Sequence, residues 1–266
     1  MGYTETFGFE PLKCGPIFDS HAHYDDPRYD GDRDFLLSSL CEYGVTNVLL
    51  CSSDLESSEK NVKLAEQYDF LYAAVGVHPH EAGASGVPDD FPEEIFNNHK
   101  VVAVGETGLD YHYDLSDRIV QKLWFDHCLS LSAKHRLPAV IHSREATADV
   151  IDILRAHRPA GVVHCFSGSV ETAAIMLDMG LYIGLGGTVT FKNAQKAVAA
   201  AKYVPLDRML LETDAPYMTP APYRGKRCHS GHIRFTAEAI AALRGMDVDE
   251  LYNVTRNNAE RLFLSR

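Results

Sequence analysis

The sequence predicts a single (β/α)8 barrel of the α/β class, a TIM barrel with extra C-terminal helices, and three observations carry that expectation. Eight short runs rich in apolar and β-branched residues recur along the 266 residues. Each is nearly continuous in apolar character, as in parallel strands covered on both faces. Polar loops and helical patterns lie between them, and eight such units fill about 250 residues. A doubly wound open sheet is the competing arrangement, because periodicity alone does not separate the two. No linker, low-complexity tract or repeat divides the chain, so residues 1–16 read as an N-terminal extension and 17–266 as one domain.

The elements follow in order. "PIFDSH" forms the first strand, and in "DRDFLLSSLCEYG" behind it Leu36, Leu37, Leu40 and Cys41 make one apolar helical stripe stopped by Gly44. "VTNVLLC" is the second strand, followed by the helical "SEKNVKLAEQY". "FLYAAVGVH" is the third, and the connection after it, "PDDFPEEIFNNH", is short and proline-broken, the weakest of the helical segments. "VVAVGE" leads into the long pattern "DRIVQKLWFDHCLSLSAKH", and "PAVIHS" into "TADVIDILRAH". "GVVHCF", "LYIGLGG" and "RMLLETD" complete the set, before the loop "APYMTPAPYRGKRCHSGH" and two helices, "IRFTAEAIAALRG" and "DVDELYNVTRNNAERLF".

Composition narrows the function. A formal charge of −12 argues against a protein that coats nucleic acid or an anionic membrane through its bulk field, so a phosphate substrate needs a local site. Six cysteines without a C-x-x-C pair, in apolar contexts, fit reduced thiols in a cytoplasm. The start shows no secretory signal and no run reaches the length of a membrane span, so the chain is expected to be cytoplasmic. No obligate protein partner is implied, and a monomer is expected.

The chemistry collects at strand ends. In "IFDSHAHYDD" the two imidazoles of His21 and His23 project to one side of a strand, with Asp19 behind them. The other strand ends offer Glu106, His142, His164 and Asp214, with His78 beyond the third strand. In a parallel barrel these ends open on one face, where the active sites of the fold sit. A lone histidine there is ordinarily a hydrogen-bonded rim residue. Four imidazoles and two carboxylates aimed into one mouth would cost roughly 2–7 kcal/mol for each unpaired group, and cations offset that cost.

Six donors exceed what one tetrahedral ion with an open position uses, so they point to two divalent ions sharing Glu106 as a bridge. His21, His23 and Asp214 would hold one, and His142 and His164 the other. Zn, Mn, Co or Ni suits this mixed ligation, and Mg is readily recruited by phosphoryl substrates. Asp214 and Glu106 are the expected catalytic residues, Asp214 as acceptor of a proton from the attacking water. Glu212 shares the inward parity of Asp214 and either orients its neighbours or pairs within the barrel.

"DSHAH", "VGVHPH", "GETGLDYHYD", "IHSREA", "HCFSGS", "IGLGGTVTFKNA", "ETDAPYMTPAPYRGKR" and "NAERLF" together resemble the TatD family of metal-dependent deoxyribonucleases, within the amidohydrolase superfamily. The resemblance runs from about residue 17 to 264. It implies a (β/α)8 barrel, a divalent-metal centre and hydrolysis of DNA phosphodiester bonds, often by trimming from the 3′ end, with single-stranded DNA or a DNA end as the substrate. The family's ligands carry over onto His21, His23, Glu106, His142, His164 and Asp214. One departure stands out: where the family commonly follows "YRGKR" with Asn-Glu-Pro, this chain has Cys228, His229 and Ser230.

Arg224, Lys226 and Arg227 form the basic cluster expected to capture phosphate, with a solvated loop as the alternative. Arg144 and His78 are further candidates for substrate contact, and His80 either reaches substrate or caps a loop. Phe166 and Tyr223 are candidates for stacking a base, with local packing as the alternative. Cys51 and Cys165 read as small buried apolar residues rather than nucleophiles. The competing activity is a metal-dependent amide or ester hydrolase, and a third is a non-catalytic metal-binding protein.

Overall fold

The computed structural model describes residues 8, 9, 11 and 14–265, so the remainder of the expected extension, and Arg266, lie outside the described residues. Eight parallel strands are hydrogen-bonded in sequence order: β1 Ile17–Ala22, β2 Val45–Cys51, β3 Leu71–Val75, β4 Val101–Asp110, β5 Ala139–Arg144, β6 Gly161–Val163, β7 Tyr182–Leu185 and β8 Met209–Leu211. Helices alternate with them: α1 Arg33–Ser39, α2 Leu55–Ala65, α3 Arg118–His135, α4 Thr147–His157, α5 Val170–Asp178 and α6 Gln195–Tyr203, with α7 Ile233–Arg244 and α8 Val248–Phe263 after β8. This is the expected TIM-barrel-like fold, nearly closed.

The seam between β1 and β8 is sealed just beyond the short last strand. Asp214 N–H donates to the His21 carbonyl (2.9 Å) and His23 N–H to the Ala215 carbonyl (2.7 Å), beside an isolated bridge between Ala22 and Ala215. Buried Asp19 completes it, its Oδ1 accepting the Thr213 N–H (3.0 Å) and its Oδ2 the Thr213 hydroxyl (2.7 Å).

One buried cluster gathers Phe18, Leu49, Ala74, Val140, Tyr182 and Leu210, together with residues of β4 and β6. Side chains from every strand meet only inside the barrel, and Phe263 of α8 packs on Phe18 at that end (ring centroids 6.0 Å). A larger cluster fills the space between strands and helices.

Two local expectations differ from what forms. After β3 there is no α-helix but two 3-10 turns, Pro88–Asp90 and Glu93–Asn97, because Pro88 and Pro92 deny the backbone donors that a longer helix needs. Phe91 and Phe96 are buried nonetheless, and Phe91 meets Trp124 of α3. Behind β1 the stripe keeps Leu36, Leu37 and Leu40 but not Cys41, which is exposed. Helix α1 ends at Ser39 and tightens into a 3-10 turn, Leu40–Tyr43, whose three residues per turn rotate Cys41 out of line. Gly44 ends it at φ 78°, where a Cβ would collide with the Cys14 carbonyl.

Candidate metal centre

The C-terminal ends of the strands surround a cavity of about 600 Å³ with Glu106 at its floor. Glu106 is not at a strand end. β4 overruns it by four residues, carrying Asp110 to the rim on the same face, since both have the same parity.

Each oxygen of Glu106 faces its own group of imidazoles. Oε2 lies 3.0 Å from His21 Nε2 and 3.6 Å from His23 Nε2. Those nitrogens are 3.1 Å apart, and Asp214 Oδ1 stands 3.7 and 3.4 Å from them. Oε1 lies 2.9 Å from His142 Nδ1 and 2.7 Å from His164 Nε2, themselves 3.1 Å apart. His78 Nε2 is 3.4 Å from the same oxygen.

The protonation pattern tests whether this donor set fits a cation. His23 donates its Nδ1–H to the Cys51 carbonyl (2.8 Å), so the neutral ring turns the lone pair of Nε2 toward two carboxylates. His142 donates its Nε2–H to Asp110 Oδ2 (3.0 Å), which leaves the lone pair of Nδ1 facing Glu106. Acceptors that converge on acceptors require positive charge between them, supplied by protons or by metal. For His23 and His142 burial alone would lower the pKa, yet the carboxylates Asp214 and Glu106, and Asp110 and Glu106, push each up to about 9. Burial also opposes ionisation of Glu106, but His164, His78 and His21 hold it well below the usual carboxylate range.

The spacings agree with this chemistry. Ligand atoms about 2.0–2.2 Å from a tetrahedral ion lie roughly 3.3–3.6 Å apart, close to the separations at Oε2. Three overlapping groups, His21 with His164 and Asp214, His21 with His23 and Glu106, and His78 with Glu106 and His142, place their donor atoms within 4.8 Å of one another. The donor set therefore fits divalent metal.

The supporting contacts are equally specific. Asp110 is buried, its Oδ2 taking hydrogen bonds from both His142 and His80 (3.0 Å each) and its Oδ1 from the backbone N–H groups of His112 and Tyr113 (2.9 Å each). Burial pushes its carboxyl up, and the bonds from His142, Tyr113 and His80 more than reverse that. Sequence reading passed over Asp110 by ending the strand at Glu106; the shared parity in "ETGLD" was the available signal.

His78 accepts the His80 N–H at Nδ1 (3.1 Å), and burial lowers its pKa to about 4. Neutral, with Nδ1 occupied, it turns its Nε2–H toward Glu106 Oε1 (3.4 Å). His21 is also held near 4, first by burial and then by His164, whose ring stacks on it at 3.8 Å. Glu212 is buried beneath the floor, pushed up to about 8 by desolvation, and one oxygen accepts the Cys165 N–H, which fixes the residue after His164. Asp214 holds a left-handed φ of 63°, a conformation that costs a non-glycine residue about 1–3 kcal/mol. Burial pushes the thiols of Cys51 and Cys165 well up, and Phe166 is itself buried.

The basic loop lies elsewhere. Arg144 lines the cavity, whereas Arg224, Lys226 and Arg227 do not. Arg227 forms a forked pair with Asp32 (2.7 and 2.5 Å), a partner 195 residues away, and Arg224 lies over Phe191 (4.1 Å). The loop sends Tyr217 and Met218 to the cavity instead. Tyr223 packs among Phe9, His232 and Phe235, with centroids 5.1–5.5 Å away.

The extension and the Cys228-His229-Ser230 departure meet there. Phe9 stacks on His229 (5.6 Å, 24°), and Tyr43 donates its hydroxyl hydrogen to the Phe9 carbonyl (3.0 Å). Tyr29 donates to the Cys228 carbonyl (2.6 Å), and the Ser230 hydroxyl bonds that of Tyr24 (2.9 Å). The departure is thus buried in packing behind the mouth.

Residues 18–264 match the family model described as TatD related DNase. The chain is 40% identical over 251 residues to the uncharacterized metal-dependent hydrolase YabD of Bacillus subtilis, covering 93% of this chain and 98% of that one. It is 34% identical to the 3′-5′ ssDNA/RNA exonuclease TatD of Pantoea ananatis, covering 93% and 99%. The crystal structure of the TatD homologue YJJV of Escherichia coli superposes with a TM-score of 0.87 at 32% identity, over 94% and 99% of the two chains. Among the described residues no helix is long and apolar enough to cross a membrane.

Proposed function

Because the chain belongs to the TatD family and is a metal-dependent hydrolase, we propose that it cleaves phosphodiester bonds at the ends of DNA or in short single strands, using two divalent ions. One observation carries this reading: the two oxygens of a single buried carboxylate, Glu106, each face a separate group of imidazole nitrogens. His21, His23 and Asp214 would hold one ion, His142 and His164 the other, with Glu106 between them. Bound there, such ions act as Lewis acids on a phosphoryl oxygen and bring the pKa of water down toward about 7.

The chain's own residues account for the remaining roles. Asp214, 15% exposed, reaches both the metal group and the cavity and accepts the proton of the attacking water. Asp110 keeps His142 in the tautomer whose Nδ1 is free to ligate. Arg144 and His78, which line the cavity, take the phosphate in this reading, and Arg224, Lys226 and Arg227, outside the cavity, are assigned no contact. The name of the Pantoea relative supports a nucleic-acid substrate.

The test is turnover on a defined single-stranded oligonucleotide after chelation and reloading with Zn, Mn, Mg, Co or Ni, beside small ester and amide substrates. Cleavage that survives metal removal, or that is confined to the esters and amides, overturns the proposal. The amide or ester alternative has its own support, since Asp25, Asp26, Asp54 and Glu56 line one side of the mouth and disfavour an anion there.

A further inference from the structure

Two sides of the mouth differ in a way the phosphodiesterase reading does not use. Lys60 and Arg144 are the cations lining the cavity. Lys60 is neutralised by Glu56 (2.7 Å) on the acidic side. Arg144 pairs with no carboxylate among the described residues; its guanidinium lies 4.7 Å over the ring of Tyr113. Beside that ring, Leu115 also lines the cavity, and the two side chains are 53% and 67% exposed. Large apolar side chains left in water at the rim of a charged site need an explanation, because the barrel supplies ample core for them.

The ring is held firmly despite its exposure. The Tyr113 N–H donates to Asp110 Oδ1, and His80 and His112 pack edge-on against it at 5.3 and 4.8 Å. Asp110 also fixes His142, so one buried carboxylate sets the distance between the metal group and the aromatic face. Further along the chain, on α3, Ile119 and Leu123, one turn apart, are 70% and 55% exposed.

We propose that Leu115 and Tyr113, on the ring face that Arg144 does not cover, form a shelf on which an unstacked base of a single-stranded nucleic acid rests while Arg144 takes the adjoining phosphate, the rest of the strand leaving over Ile119 and Leu123. This rests on the phosphodiesterase reading. The carboxylates of Asp25, Asp26, Asp54 and Glu56 repel the phosphate chain and Arg144 attracts it, which favours exit past Arg144. An aromatic face accepts any base, which makes the shelf indifferent to sequence, and duplex DNA, whose bases are stacked on one another, cannot use it.

Binding of metal-loaded protein to a fluorescent oligothymidylate with hydrolysis-resistant phosphorothioate linkages, read by anisotropy, tests this without requiring turnover. Stacking worth about 1–3 kcal/mol per base predicts that Tyr113→Ala weakens binding roughly 5- to 150-fold, with Tyr113→Phe restoring it. A second probe carries abasic sites in place of its terminal nucleotides; on it the difference between wild type and Tyr113→Ala should vanish. Elemental analysis showing equal metal content in each variant separates loss of the shelf from loss of the site. Equal affinity of Tyr113→Ala and wild type for oligothymidylate, or an equal loss on both probes, overturns the shelf. Wild-type binding without cleavage of an unmodified oligothymidylate overturns the phosphodiesterase reading while leaving the shelf standing, and absence of wild-type binding overturns both.

Discussion

Two histidine-rich regions lie on this barrel, and they behave in opposite ways. At the mouth, His21, His23, His142 and His164 surround the carboxylates of Glu106 and Asp214. Behind the mouth, His232 is surrounded by Phe9, Tyr223, His229 and Phe235, and no carboxylate pairs with it among the described residues. Burial is common to both regions, and it holds His21 and His78 near 4 even at the mouth, but only there do carboxylates raise imidazole pKa values, to about 9 for His23 and His142. Burial lowers His232 to about 4, against a small opposing effect from its hydrogen bond with the His229 backbone. Imidazoles alone make a packing element; a carboxylate at their centre makes a place that demands positive charge.

Removing that carboxylate's charge should therefore have the largest effect. Glu106→Gln is expected to abolish stoichiometric binding of two ions, by elemental analysis, and to reduce turnover by at least about a thousandfold. A variant that keeps both would erase the distinction between the two regions. Asp214→Asn should retain the fold, by circular dichroism, while turnover falls roughly 10²- to 10⁴-fold, the range typical of a lost general base. Asp110→Asn leaves the donor set intact but no longer fixes the His142 tautomer, and a loss of about 10- to 100-fold in metal affinity or activity is expected from competition titrations.

The smaller effects concern pH, and the two regions should respond with opposite sign. Stripped of metal, His23 and His142 are protonated in the folded state up to about pH 9, against about 6.5 in the unfolded chain. Their contribution is complete below about 6.5 and is lost as pH rises through 9, so the melting temperature of the chelated protein should fall over that window; the metal-loaded protein should fall less. His232 stays neutral when folded down to about pH 4, so its contribution is complete above about 6.5 and is lost as pH falls toward 4. His232→Phe should flatten the acid limb of a melting-temperature profile and leave turnover within about twofold. Unchanged slopes in both profiles would show that the distinction drawn from burial and charge does not govern stability.

The fold was legible because a parallel sheet covered by helices writes each strand as a continuous apolar run, and polar residues at the ends of such runs stand out. His21, His23, His142, His164 and Asp214 stand out that way. Asp110 does not, because β4 reads as ending at Glu106 and the strand continues four residues further. The orientation of the basic loop was hidden for a different reason: Arg227 is committed to Asp32, and local patterning carries no information about a partner so distant in the chain. The same holds for Phe9, whose half-buried ring packs on His229 and Phe235, far along the chain.

The seam between β1 and β8 acquires a second meaning from the placement of the donors. His21 and His23 lie on one side of it and Asp214 on the other, and the backbone bonds that close it belong to these same residues. An ion seated there would act as a clasp, tying the first turn of the polypeptide's winding to its last. Closure of the cylinder and capture of an ion would then be interdependent, since the same residues serve both.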